Sequence, residues 1–264
     1  MAARSSLRFF WVLLKTNISN VTALKLNFVL ESLFMAANNM MMFATWVILF
    51  HTFKEINGWN VRHLILMTGI VMCSYSIYAA FFRGVADTMA GYIERGEMDT
   101  FILQPRNILL NVSGSRSAPS AMGEVLSGAI FLIWSGMITI QTIPLLLLCI
   151  LAGFLVFLAV GIFIGSLAFY MKEVEGWGMQ IMNIFLSLST QPGSIYTGSV
   201  KLFLIFVFPA GVLTFMPVEA ITNPTPSGIL TMIGIAIAFF FASILFFYRG
   251  LKHYESGNSF GIRG

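Results

Sequence analysis

Cysteine is nearly absent, with two residues, Cys73 and Cys149, in a chain of 264. Both lie inside apolar runs, where a thiol behaves as a small hydrophobe. Two isolated thiols supply neither a disulfide framework nor a thiolate metal site. Charge is also scarce, at 10% of residues against 58% hydrophobic, a balance that excludes an ordinary soluble domain. There is no Gly-Lys dipeptide, so no G-x-x-x-x-G-K-[ST] loop can cradle nucleotide phosphates, and the zinc-hydrolase pair H-E-x-x-H is missing. The three histidines, His51, His63 and His253, fall at expected span ends, where no metal or catalytic cluster is expected. The chain is therefore expected to have no enzymatic activity, cofactor or metal of its own. Any energy it uses comes from another subunit or from a gradient.

What the chain has in abundance is hydrocarbon. With 26 Phe, 16 Met and a mean hydropathy of +0.86, it reads as an integral membrane protein with several spans. The net charge of +4 is read first as a topology signal, and nucleic acid is not an expected partner. The N-terminus does not read as a cleavable signal, because the run Phe9 to Leu14 is short and no small-residue cleavage site follows. Arg4, Arg8 and Lys15 share one helical face and Leu7, Phe10, Leu14 and Ile18 the other. That pattern predicts an interfacial amphipathic helix over residues 1–22.

The expected fold is an all-α polytopic membrane protein of six transmembrane helices, at residues 26–50, 64–93, 122–143, 145–171, 177–197 and 228–248. The first carries Glu31, Asn38 and Asn39, which lipid cannot satisfy, so they face protein or a wet path. Glu31 can instead snorkel, and the asparagines can instead bond between helices. Arg83 and Asp87 are one turn apart and can pair. Gly161 and Gly165 form a small-xxx-small pair that permits close helix approach. Residues 111–120 read as loop, and the N-V-S tripeptide within them should face the cytoplasm unmodified. Residues 198–226, broken by Pro209 and Pro217, read as a re-entrant hairpin from the outer face between spans five and six. The reverse assignment, with 177–191 lying on the inner surface, stays open. Six spans put twelve basic residues inside (Arg4, Arg8, Lys15, Lys25, Arg83, Arg95, Arg106, Arg116, Lys172, Arg249, Lys252, Arg263) and three outside (Lys54, Arg62, Lys201). Both termini are then cytoplasmic.

One charged block interrupts this pattern: Tyr92 to Arg106, YIERGEMDTFILQPR. Glu94, Arg95, Glu97, Asp99 and Arg106 cannot sit in hydrocarbon, so the block lies in water or against another protein. Gly96 and Pro105 bracket about eight residues, Glu97 to Gln104, for a short helix with Met98, Phe101 and Ile102 on one face. An ordinary cytoplasmic loop is the alternative reading.

The block resembles the R-G-E-[LM]-D-x-[FY]-[IL]-L-x-P segment between the second and third spans of one branch of ABC-2 type transporter permeases. The stretch QPGSIYTGSVKLFLIFVFPAGVLTFMP and the tail YRGLKHYESGNS are also similar to that family. The resemblance implies that residues 94–106 form a coupling helix, with Glu94, Arg95, Gly96, Asp99, Phe101 and Pro105 meeting an ATPase. It implies that Glu31, Asn38, Asn39, Tyr196 and Pro209 line or gate a translocation path. The implied partners are two ABC ATP-binding subunits, which carry the ATP and Mg, and a second permease, identical or homologous, in the inner (plasma) membrane and its lipids. The implied activity is export, with drugs, lipids and glycans all open as cargo. Two other classes remain open on the residues alone: an autonomous channel or gradient-driven carrier, and a non-transporting scaffold of the same fold.

Overall fold

Apolar runs without water must satisfy their backbone groups internally, and this chain does so with helices throughout. The computed structural model describes residues 12, 15, 25–116, 118, 121–171, 174 and 176–254. The interfacial helix expected over residues 1–22 falls almost wholly outside the described residues.

Helix α1 (Lys25–Phe53) ends in a tight turn with Lys54 and Asn57 at positive φ, closed by backbone bonds between Ile56 and Trp59. Asn60 then caps α2 (Val61–Phe82): its Oδ1 accepts from the amides of Arg62 and His63, and His63 Nδ1 accepts from the Asn60 amide. Arg83 keeps helical dihedrals, so α2 runs into α3 (Gly84–Glu94) as one element of 34 residues. At 1.5 Å per residue that is about 51 Å, well beyond the ~30 Å hydrocarbon layer. Arg83 Nε donates to Asp87 at the join, the pairing expected from their spacing. After it come α4 (Met98–Ile102) and α5 (Ile108–Ser113).

The rest of the bundle is built on that rod. Helix α6 (Met122–Trp134) runs antiparallel to α2, with Gly128 against Cys73, Gly69 against Leu132 and the Ala118 amide on Ala79 O. Helix α7 (Ile143–Leu167) runs parallel to α2 and α3: Ser74 Oγ donates to Ile150 O at 3.1 Å, Gly161 lies against Tyr78 and Gly165 against Val85. Of the glycine pair read from the sequence, Gly165 thus meets the backbone of α3 and Gly161 makes room for the Tyr78 ring. Helix α8 (Trp177–Ser189) starts beside α3, with Gly178 on Ala86 O, and climbs until Phe185 packs edge-on to Phe157. Tyr78, Phe157 and Phe185 are fully buried and mark the core where α2, α7 and α8 meet.

A 3-10 turn (Gly193–Ile195) leads to α9 (Gly198–Phe206); a second (Pro209–Val212) leads to α10 (Phe215–Thr222). These two arms are bent by 82°. Helix α11 (Pro226–Leu251) returns along α7, with Phe246 stacked on Phe163 and Gly250 against Phe169. Only 17% of its most apolar window is buried, so most of α11 faces outward.

Three helices among the described residues are long and apolar enough to cross a membrane (Val61–Glu94, Ile143–Leu167, Pro226–Leu251), or four if the bent pair is one span. Two expected spans are shorter as helices than their hydropathy suggests. The stretch 122–143 stays helical only to Trp134, because Ser135 Oγ turns back onto Leu132 O and Gly136 takes φ 64. The stretch 177–197 stays helical only to Ser189, because Pro192 lacks an amide and forces Gln191 out of helical geometry. Thirteen residues each rise about 20 Å, short of the ~30 Å hydrocarbon layer.

Candidate functional site

The charged block is built from the end of the rod. Helix α3 ends in a reverse turn, with the amide of Arg95 on Gly91 O and that of Gly96 on Ile93 O, and Gly96 holds φ 70. This left-handed position directly after a helix is where glycine is favoured, since it has no Cβ to clash. The chain reverses into α4, which is five residues long, against about eight expected; the Leu103 amide closes it on Asp99 O. Pro105 prevents further extension and is exposed.

Within the block, side chains divide by face. Met98 is fully buried and Phe101 half-buried, its ring 5.0 Å from that of Tyr92. Arg95 and Glu97 are exposed and pair at 3.0 Å. Thr100 and Ile102 are exposed, Leu103 is 83% exposed, and Asp99 is half-buried beside them. The result is a short amphipathic knuckle clamped through Met98 and Phe101, with a mixed polar and apolar outer face. Glu94 is exposed, and its carboxylate accepts from the Val174 amide at 3.0 Å, tying the α7–α8 turn to the end of α3.

Of the expected path residues whose side chains are described, Tyr196 and Pro209 border separate cavities and Asn38 borders neither. Asn38 is exposed on α1, and the side chains of Glu31 and Asn39 lie outside the described residues. Tyr196 is half-buried, its hydroxyl donating to Leu188 O at 3.0 Å, and it lines a cavity of about 340 Å³ with Trp59, Lys201, Phe215 and Glu219. In that cavity Lys201 Nζ lies 4.6 Å from the Phe215 ring centroid. Pro209 is buried and borders a different cavity, between α7, α8 and α11.

The two ends of the rod differ. The Val61 end carries the Trp59–Tyr196–Phe215 cavity, the bent pair and the cations Lys54, Arg62 and Lys201. The Glu94 end carries the knuckle and gathers Arg83, Arg95, Arg106 and Arg116, with Arg249 and Lys252 brought in where Asn107 Nδ2 donates to the Tyr248 hydroxyl. Of these nine cations, six therefore lie at the knuckle end and three at the other. Two glycines that no sequence pattern singles out, Gly84 on Val112 O and Gly178 on Ala86 O, join Gly165 on Val85 O in letting three neighbours touch the α3 backbone. Their only sequence signal is small size within apolar surroundings.

No group of three or more His, Cys, Asp or Glu among the described residues could hold a metal. One hydrolase-like spacing does occur: Gly257-Asn258-Ser259-Phe260-Gly261 fits G-x-S-x-G. It lies outside the described residues, which end at Tyr254 in a turn after α11.

A family described as ABC-2 family transporter protein matches residues 36–258. No curated protein and no solved structure matches the chain. The family match begins inside α1, runs through the rod and the knuckle, and ends just past α11: this multi-pass membrane protein belongs to the ABC-2 family of transporter proteins, as its permease part.

Proposed function

We propose that this chain is the transmembrane permease subunit of an ATP-driven exporter, pairing with a second permease to enclose the translocation path and drawing energy from separate ATP-binding subunits seated on the knuckle. The family implies ATP-binding partners. The observation that carries the rest is the rod itself: one 34-residue helix has the charged knuckle at one end and the bent pair at the other. A push on the knuckle is delivered along a continuous helix to the far side of the bundle. The mechanism is alternating access, in which ATP binding supplies the difference in free energy between inward-facing and outward-facing arrangements.

The excess of cations at the knuckle end supports placing that end, and the termini, in the cytoplasm. The course of α8 from Ala86 to Gly193 beside Phe215 supports a fifth crossing at 177–197, and the 82° bend supports a re-entrant arm on the outer face. Arg95, Gly96, Asp99, Phe101 and Pro105 form the docking surface in this reading, with Glu94 bracing it from behind. Asn38, on a helix whose outward residues Phe34 and Met41 are also uncovered, faces the second permease.

The test is ATP hydrolysis and transport by the complex assembled from this chain and its ATPase. Asp99→Ala combined with Arg95→Ala is expected to lose stimulation while the complex still inserts and folds. Unchanged coupling removes the knuckle from the mechanism, and transport by the purified chain without any ATPase favours the autonomous carrier.

A further inference from the structure

An apolar cavity lies between α7, α8 and α11, about 450 Å³ in volume and bounded by Phe163, Ile181, Pro209, Ala242 and Phe246, with Arg249 at one end. A volume of this size falls in the range of small-molecule and lipid-chain sites. The cavity follows α11 from Phe239 to Arg249, about 15 Å at helical rise. Phe163 and Leu245 are exposed at its edge, so it opens sideways onto the outside of the helix bundle. Its polarity is one-sided. Arg249 is the basic residue of the last turn of α11, exposed, and no acidic side chain among the described residues pairs with it. His253, one turn further, has Nδ1 within 2.9 Å of Arg249 O, and its ring lies 5.4 Å from that of Tyr170.

An apolar slot that ends in a cation at the end of a membrane-length helix has the profile of an amphiphile standing in one leaflet. The slot takes hydrocarbon and the guanidinium takes an oxyanion at headgroup depth. We propose that this groove holds one acyl chain of an anionic phospholipid from the surrounding bilayer, with its phosphate paired to Arg249. The occupant enters from the side and is not the transported cargo. Arg249 suits the role because a planar guanidinium binds phosphate in a bidentate manner.

The full chain is reconstituted in nanodiscs of phosphatidylcholine containing phosphatidylglycerol with a diazirine at the end of one acyl chain. Photolabelling is mapped by mass spectrometry. The expected label falls on α7 and α11 around Phe163, Ala242 and Phe246. It drops about tenfold in Arg249→Gln, the loss expected for one charge-assisted contact, and is retained in Arg249→Lys. Ala242→Trp, which fills the groove from an exposed position, abolishes the label while the protein stays monodisperse. A phosphatidylcholine probe, whose phosphate charge is balanced by its own quaternary ammonium, labels the same peptides more weakly and responds less to Arg249→Gln. Equal labelling by both lipids, label spread evenly around the bundle, or cross-links between two copies through α11 would overturn the proposal.

Discussion

Helix α3 sits so close to its neighbours that a single methyl group should be felt. A Cβ at Gly165 would land on the carbonyl oxygen of Val85, with Val85 C at 3.0 Å and Met89 Sδ at 3.2 Å. The methionine can change rotamer, but a carbonyl inside a helix cannot move aside, so α7 must withdraw from the rod. Overpacking of this kind costs about 1–3 kcal/mol. At about 2–4 °C per kcal/mol for a protein of this size, Gly165→Ala should lower the melting temperature by about 2–12 °C. Gly178→Ala presents a Cβ to Ala86 O and should act in the same direction, less strongly, because Gly178 lies in the first turn of α8, where the helix can pivot. The control is Gly234→Ala in α11, where nothing lies within 4 Å of the added carbon; removing a helix glycine there should be neutral or stabilising by about 0.5–1 kcal/mol. The assay is the loss of the monodisperse peak on heating, followed by size-exclusion chromatography of the solubilised full chain. A wild-type melting temperature for Gly165→Ala, or an equal loss for Gly234→Ala, would refute the close approach.

Gly96→Ala places a side chain at φ 70 and should destabilise the α3–α4 reversal by about 1–2 kcal/mol; the readout is weaker association with the ATPase at an unchanged α-helical content. Glu94→Ala removes the acceptor for the Val174 amide, so hydrogen exchange at Val174 should accelerate several-fold while the core amides of α2 keep their protection. Tyr78 is fully buried and its hydroxyl has no hydrogen-bond partner. Tyr78→Phe should therefore leave the melting temperature unchanged or raise it, since an unpaired buried hydroxyl costs about 1–3 kcal/mol; a marked fall would show that the hydroxyl is satisfied.

The rod was legible in the sequence because its signals are local: an unbroken apolar run, then Arg83 and Asp87 at the spacing that lets a helix carry a charged pair past the membrane. The knuckle was legible for the same reason, since Gly96 and Pro105 act on their own backbone. Its length was not, because the Leu103 amide closes the helix on Asp99 O and it ends at Ile102, two residues before Gln104. Hydropathy overran the helices α6 and α8, because averaging over a membrane-length window hides a break of a few residues at Gly136 or Pro192. Contacts between distant segments were invisible. Glu94 reads as a surface acid until Val174, eighty residues on, is brought to it. Tyr196 and Pro209 look like neighbours in one gate and instead border separate cavities. Gly84 and Gly178 mean little until Val112 and Ala86 are beside them.

The claim on which the account turns is that the knuckle faces a nucleotide-hydrolysing partner from the cytoplasmic side. Leu103, 83% exposed at the tip, gives direct access to it, and both native cysteines are buried. With Leu103→Cys and a short bifunctional thiol reagent, the assembled complex should yield a cross-link between this chain and the ATP-binding subunit, and intact cells should show no labelling by an impermeant maleimide. Labelling from outside intact cells, or no cross-link in a complex that still hydrolyses ATP, would contradict it.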